Sequence, residues 1–352
     1  MSKFTDIDPL VRENIRNLTP YRSARDEQKE GLLLDANENS LGAPIRNDLE
    51  LHRYPSPGQE ELRKKIAGFR NVVTENVFTG VGSDEAIDLL IRIFCEPARD
   101  EILITPPTYG MYSVSAAVNN VGVRQVPLDE NFQPDADRIL KSADEKTRIL
   151  FLCSPNNPTG NLLKRVEVMK LIELFPGIVV VDEAYIDFSG QESLTAVVPQ
   201  YSNLVVLQTF SKAFGLAGIR LGSAISSPQI ISYMMKVKAP YNLNKLTARA
   251  ALDAFKEIDL VKFNIETICQ ERDYLIEQLE QAPTVEKVYP SDANYILFKI
   301  RNAESICRQL ADRGIIVRYR GDLPGSEESI RVTVGMPDEN VRFLKTLKEI
   351  LS

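Results

Sequence analysis

The sequence predicts an α/β fold with a mostly parallel sheet, joined to a smaller α+β unit, and three observations carry that prediction. From Glu60 onward, short runs of valine, isoleucine and leucine alternate with amphipathic helical stretches, the pattern of a parallel sheet covered on both faces. The loops after several of these runs hold polar and charged side chains, where sheets of this kind bind ligands. Around Tyr241–Lys245 the alternation gives way to one long helical stretch followed by short strands and helices.

Residues 1–30 are polar and predict a short helix from Pro9 to Asn17, ahead of Leu18-Thr-Pro-Tyr21. Leu32 to Leu34 reads as a short strand running into Asp35-Ala-Asn-Glu-Asn39, a turn dense in amides and carboxylates. In Arg53-Tyr-Pro-Ser-Pro57 two prolines impose an extended course. Both stretches look like ordinary surface loops. Helical spacing follows at 60–69 and, strongly apolar, at 86–94; strands are expected at 77–78, 102–104, 124–126, 149–152, 178–181 and 204–207. The second unit is expected to hold a long helix from Leu246 to about Gln281, strands at 285–289, 295–299, 315–317 and 330–334, and helices at 305–313 and from Pro337. The division expected is an arm over 1–42 that packs with the smaller unit, a large α/β domain over 43–245, and a small α+β domain over 246–352.

The formal net charge of −7 and pI near 5.2 argue against nucleic acid or an anionic membrane as main partner. Four cysteines lie far apart without a CxxC pair, so neither a disulfide framework nor a zinc site is expected. The start lacks a signal-peptide core and no run approaches membrane-spanning length, so the expected location is cytoplasmic.

The stretch Thr209-Phe-Ser-Lys212, with Arg220 eight residues beyond the lysine, follows the 204–207 run and gathers two hydroxyls, an amine and a guanidinium among small residues. Thr209, Ser211 and Arg220 suit a phosphate dianion. A desolvated Lys212 amine among cations can capture an aldehyde as an imine. Phosphate and aldehyde on one small molecule describe pyridoxal 5′-phosphate. Gly80-Val-Gly-Ser-Asp-Glu85 opens a helix, and Glu85 in the place of the third glycine argues against a dinucleotide site. Backbone N–H groups at Ser83 and Asp84 can still serve a phosphate, although an ordinary helix cap would look the same. Tyr109 stands where an aromatic face could cover a flat ring, or simply pack. Asn157, in the loop Ser154–Gly160, could be held rigidly to donate to an oxygen. Asp182 follows three valines, where an unpaired buried carboxylate would be costly. A pyridinium nitrogen would supply its partner and stay protonated beside it. The same form could be a Walker B strand, but no GxxxxGK[ST] loop accompanies it. His52, the one histidine, reads as a surface or interface residue.

On these residues, together with Asp35–Asn39, Arg53-Tyr-Pro55, Pro107-Thr-Tyr-Gly-Met-Tyr112, Val181-Asp-Glu-Ala-Tyr185, Gly218-Ile-Arg220 and Arg331-Val-Thr-Val-Gly335, the chain resembles fold-type I pyridoxal-phosphate enzymes of the aspartate aminotransferase superfamily. Within it, the chain is most similar to the histidinol-phosphate aminotransferase family. The resemblance implies a seven-stranded sheet in the large domain. It implies that Lys212 carries the cofactor, that Asp182 pairs with the ring nitrogen, and that Asn157 and Tyr185 bond the phenolic oxygen. It also has Tyr109 stack on the ring, while Thr209, Ser211, Arg220, Ser83 and Asp84 hold the phosphate. Tyr54 would reach the phosphate in the other subunit, implying a homodimer. Arg331 would clamp the carboxylate of 2-oxoglutarate or glutamate, and Arg318 the substrate phosphate, with Arg320 left as its alternative on the same face. Tyr21 and Asn37 would line the substrate pocket. The reaction implied is transamination of L-histidinol phosphate with 2-oxoglutarate, giving imidazole acetol phosphate and glutamate, in histidine biosynthesis. An aromatic or broad-specificity aminotransferase and a threonine-phosphate decarboxylase are the alternatives in the same superfamily. A cofactor-binding regulatory domain is disfavoured, since no DNA-binding segment is evident and the net charge is negative.

Overall fold

The computed structural model describes residues 6–27, 33–45 and 48–351, and two sheets organise it. The arm carries α1 (Glu13–Arg16) and α2 (Ala24–Glu27), and α3 (Glu60–Arg70) follows. The large sheet and its covers comprise β1 (Val77–Val81), α4 (Gly82–Phe94), β2 (Glu101–Ile104), α5 (Met111–Val118), β3 (Gly122–Gln125) and α6 (Ala136–Ser142). They continue through β4 (Thr147–Cys153), α7 (Arg165–Leu174), β5 (Ile178–Asp182), β6 (Leu204–Thr209), β7 (Leu221–Ser226) and α8 (Pro228–Val237). Then come α9 (Lys245–Lys256), α10 (Ile258–Glu280), β8 (Val285–Val288), β9 (Tyr295–Ile300), α11 (Ala303–Asp312), β10 (Arg318–Tyr319), β11 (Ser329–Thr333) and α12 (Pro337–Leu351).

The seven strands lie in the order β1-β7-β6-β5-β4-β2-β3. β7 runs antiparallel to β1 and β6, and the other pairings are parallel. Successive side chains go to opposite faces, and both faces are covered. Phe151, Val180 and Val205 join one core with α4, α5 and α8; Leu150, Val179 and Val206 join another with α3, α6 and α7. β5 is accordingly buried at all five positions.

β7 is absent from the strands expected from the sequence, because Gly222, Ser223 and Ser226 interrupt its apolar pattern. Each has a reason to be there. A Cβ on Gly222 would stand 2.2 Å from the Ser83 nitrogen, so only glycine lets β7 meet the start of α4. Ser226 is fully buried and its hydroxyl donates to the Leu204 carbonyl at 2.6 Å.

The second sheet is antiparallel, in the order β10-β11-β9-β8, and α10, α11 and α12 share its core through Leu275, Ile306 and Phe343. Three expectations are corrected. The long helix divides at Glu257 into α9 and α10. The strand expected over 315–317 forms instead at β10; Ile315 and Val317 pack on the small core while Ile316 is exposed. Leu33 and Leu34 form no strand, and the Leu33 carbonyl accepts from the Arg53 guanidinium; Leu32 lies outside the described residues. The arm also differs: Ile7, Val11 and Ile15 seat against the large sheet's core rather than the small unit.

Candidate active site

The carboxyl ends of β1, β2, β4, β5 and β6 point at one cavity of about 580 Å³, within the usual range for a small-ligand site. Because β7 is antiparallel, it is its beginning that arrives there, bringing Arg220.

At one end the parts of an anion cradle converge. α4 starts directly beyond β1, and its first N–H groups have no acceptor within the helix. Gly82 sits at φ +70°, and a Cβ there would meet the Arg220 guanidinium at 2.7 Å. Thr209 Oγ donates to Ser211 Oγ at 3.0 Å, and Arg220 Nη1 donates to Ser211 Oγ at 3.3 Å. Arg220 Nη2 reaches Asp84 Oδ2 at 3.4 Å, and Tyr109 Oη donates to Asp84 Oδ1 at 3.1 Å. Arg220 itself is left-handed, at φ 54° and ψ 52°. That conformation costs an arginine about 1 kcal/mol or more and recurs where function fixes the backbone.

Lys212 lines the middle of the cavity, its Nζ 5.6 Å from the Tyr185 ring centre. Burial, and then the neighbouring Arg331 and Arg220, push its amine below the ordinary range, so more of it is free base. Asp182, at the end of β5, is 3 % exposed and forms no ion pair among the described residues. Its Oδ2 accepts from Tyr112 Oη at 2.9 Å and its Oδ1 from the Ala184 N–H at 3.1 Å. Burial pushes its carboxyl up to about 6 against these two bonds, which pull the other way.

Asn157 joins the two sheets. Its Nδ2 donates to Tyr185 Oη at 3.5 Å, and its Oδ1 accepts from Arg331 Nη1, on β11, at 2.6 Å. The loop that aims it is fixed by Asn156, which is 1 % exposed. Asn156 Nδ2 donates to the Pro107 carbonyl and to Thr159 Oγ1, its Oδ1 accepts from Thr108, and its carbonyl accepts from Tyr295 Oη. Tyr295 also supports the Arg331 guanidinium, 5.2 Å from its ring centre.

The cavity thus gathers Ser83, Asp84, Tyr109, Asn157, Asp182, Tyr185, Thr209, Ser211, Lys212, Arg220 and Arg331. Other expected residues stand elsewhere. Arg318, directly opposite Arg331 in register, is exposed, whereas Arg320 lines the cavity; of the two, Arg320 is the deeper. Tyr21 is 76 % exposed and borders a separate hollow beside α8. Asn37, His52 and Tyr54 share a third hollow, where Tyr54 is stacked on Tyr241 at 4.4 Å. These residues lie on the arm and the loop after it, and none of them lines the cavity that holds Lys212. Sequence reasoning assigned nothing to Asn156 or Tyr112. Asn156 sits beside Asn157 in a loop where either amide could have been the ligand group, and Tyr112 reads as one more apolar position of α5.

The geometry defines a class, and comparison with known proteins agrees. Residues 20–345 match the family model for aminotransferase class I and II, and the chain belongs to that family. It is 46 % identical over 344 residues to a histidinol-phosphate aminotransferase of Cytophaga hutchinsonii, covering 97 % of this chain and 98 % of that one. Among solved structures, the histidinol-phosphate aminotransferase of Clostridium acetobutylicum is similar with a TM-score of 0.79 and 26 % identity, over 85 % of this chain and 91 % of that one. That of Sinorhizobium meliloti, in complex with pyridoxal-5′-phosphate, shares the fold with a TM-score of 0.78 at 22 % identity, over 99 % and 100 % of the two chains. The expected fold class is therefore correct, including the seven-stranded sheet.

Proposed function

We propose that this chain transfers the amino group of L-histidinol phosphate to 2-oxoglutarate, giving imidazole acetol phosphate and glutamate, with pyridoxal 5′-phosphate as cofactor. The observation that carries the reading is one cavity holding a depressed lysine amine, a buried unpaired carboxylate, an anion cradle and two further guanidiniums, Arg320 and Arg331. The names of the relatives similar over nearly the whole chain support it. The donor set fits the cofactor. Ser83, Asp84, Thr209, Ser211 and Arg220 offer donors for a phosphate, Lys212 an amine for the aldehyde, and Asp182 a carboxylate for a protonated ring nitrogen.

When bound, the cofactor supplies an aldehyde to take up amines and an electron-poor ring to stabilise charge released at Cα. Lys212 would take the proton from the substrate Cα; burial and the neighbouring guanidiniums lower its proton affinity and leave more of its amine free to do so. Asp182 holds the proton on the ring nitrogen. Arg331, steadied by Asn157 and Tyr295, presents a planar fork to the carboxylate of glutamate or 2-oxoglutarate. For the phosphate of the other substrate, Arg320, just beyond β10, lines the same cavity, while Arg318 stands exposed opposite Arg331.

The working unit is a homodimer in which Tyr54 reaches the phosphate bound by the partner subunit. In support, Tyr54, Asn37 and Tyr21 line hollows other than their own chain's cavity, and Leu34 and Leu41 on the arm are 70 % and 97 % exposed. No helix among the described residues is long and apolar enough to cross a membrane, which fits a cytoplasmic enzyme. The test is an assay of purified protein with L-histidinol phosphate and 2-oxoglutarate, set against phenylalanine and against threonine phosphate. Glutamate formation with a preference of about 100-fold or more for the phosphorylated amine is expected. Equal use of phenylalanine would make it a broad-specificity aminotransferase, and carbon dioxide release from threonine phosphate a decarboxylase.

A further inference from the structure

The phenol of Tyr112 is fully buried, in the first turn of α5 and three residues beyond Tyr109. Its ring is stacked on Phe151 with centres 4.7 Å apart and planes at 13°, and it meets the Tyr109 ring edge-on at 5.5 Å. Held on two sides, its hydroxyl donates to Asp182 Oδ2 while the Ala184 N–H takes Oδ1, so the carboxylate is fixed at both oxygens. An ionised carboxylate only accepts, whereas a protonated one must also donate. A hydroxyl already donating to it therefore favours the ionised form.

We infer that Tyr112 is the positioning residue that keeps Asp182 ionised and oriented toward the cofactor's ring nitrogen. The inference rests on the cofactor reading above. Asp182 is faced by Cys153 from β4, directly opposite it in register, by Asp84 from α4, by Lys212 beyond β6, and by the Tyr109 and Tyr185 phenols. Burial and Asp84 oppose its ionisation, while Tyr112, the Ala184 N–H and Lys212 favour it. Of these side chains, Tyr112 alone is hydrogen-bonded to it among the described residues.

The rival is that Tyr112 merely fills space. Binding of pyridoxal 5′-phosphate to the apoprotein across pH, followed by its visible imine band, separates the two for wild type, Tyr112→Phe, Asp182→Asn and the double variant. Tyr112→Phe keeps the stack on Phe151. It is expected to weaken binding at neutral pH on the order of tenfold, and to move upward the pH below which affinity falls. With asparagine at 182 the same change should cost less than about twofold, since its effect runs through the carboxylate. Wild-type affinity and pH midpoint in Tyr112→Phe, or an equal loss in the Asp182→Asn background, would overturn the proposal. Phe151→Leu loosens the stack while leaving the hydroxyl, and serves even where Tyr112→Phe does not fold. It should shift the midpoint upward by less, and an unmoved midpoint counts against the proposal. A wild type that forms no imine band defeats the cofactor reading itself, an outcome visible before any variant is compared.

Discussion

Arg318, Arg320 and Arg331 occupy one face of the small sheet, and depth is what separates them. Arg331 is hydrogen-bonded to Asn157, Arg318 is exposed, and Arg320 lines the cavity with a buried Nε that has no hydrogen-bond partner among the described residues. Burial first, then the like charges of Arg331 and Arg318, lower the pKa of Arg320, so the guanidinium sits in an environment that an anion would relieve. Arg320→Ala should therefore lower kcat/KM for the phosphorylated amine by about 100-fold, through one or two lost charge-assisted hydrogen bonds. Arg318→Ala should cost about tenfold, as a more solvated cation does, and phenylalanine should change by less than about threefold in both variants. Steady-state kinetics with both amines decide it; a larger loss at Arg318 would reverse the order of depth. The residue types were legible in the sequence, but their ranking was not. Positions two apart on a strand share a face, and only the end of the cavity says which of them is inside. Tyr112 was hidden for a related reason, since a tyrosine in an apolar helix shows its ring to sequence analysis and not the carboxylate its hydroxyl will meet.

At the level of elements, Glu38 ties the arm to the segment before α3. Its carboxylate, 3 % exposed, accepts from Arg25 Nη2 at 2.6 Å, from Arg53 Nη1 at 2.8 Å and from the Tyr54 N–H at 2.7 Å. Burial alone would raise its pKa, but the Tyr54 N–H, Arg53 and Arg25 outweigh it and bring the carboxyl down to about 2. A folded pKa below the unfolded value contributes stability that is present above about pH 4.5 and is lost as pH falls toward 2. Glu38→Gln removes that charge while Arg25 keeps its ion pair with Asp35, and the weakened hydrogen bonds should destabilise the arm by about 2 kcal/mol. Amide exchange should accelerate over residues 33–45 and around Tyr54 while the central strands stay protected; unchanged exchange would show that the arm is held by other contacts. The motif Asp35–Asn39 is visible in the sequence as a polar turn with the look of a surface loop, from which only Asn37 is expected at a substrate pocket. Its partners, Arg25 and Arg53, are distant in sequence from one another, and nothing in the spacing announces that one glutamate binds both. The central strands were legible because apolar runs buried on both faces leave little choice. β7 was not, because its sequence answers to close packing against α4 and to serine hydrogen bonds inside the sheet.

For the whole molecule, the question is whether one chain completes its own site. The cavity as folded contains Lys212, Asp182, the groups proposed to hold a phosphate, Arg320 and Arg331, but not Tyr54, which rests on Tyr241 with 48 % of its surface open. If a second copy brings its Tyr54 to this cavity, each site of a twofold dimer takes Lys212 from one chain and Tyr54 from the other. Lys212→Ala alone should lose the imine band and slow turnover by about 10⁴-fold, and Tyr54→Ala alone should cost about tenfold in cofactor affinity and turnover. Unfolding the two variants together and refolding them as a mixture creates hybrids in which one site carries both defects and the other carries neither. Random pairing makes half of the dimers hybrid, so about a quarter of all sites should be wild type, and activity should rise to about 25 % of the native value. Were both residues supplied by the same chain, every hybrid site would carry one defect or the other. Activity would then stay near the average of the two variants, about 5 % of native, and gel filtration of the same mixture would report whether a dimer had formed at all.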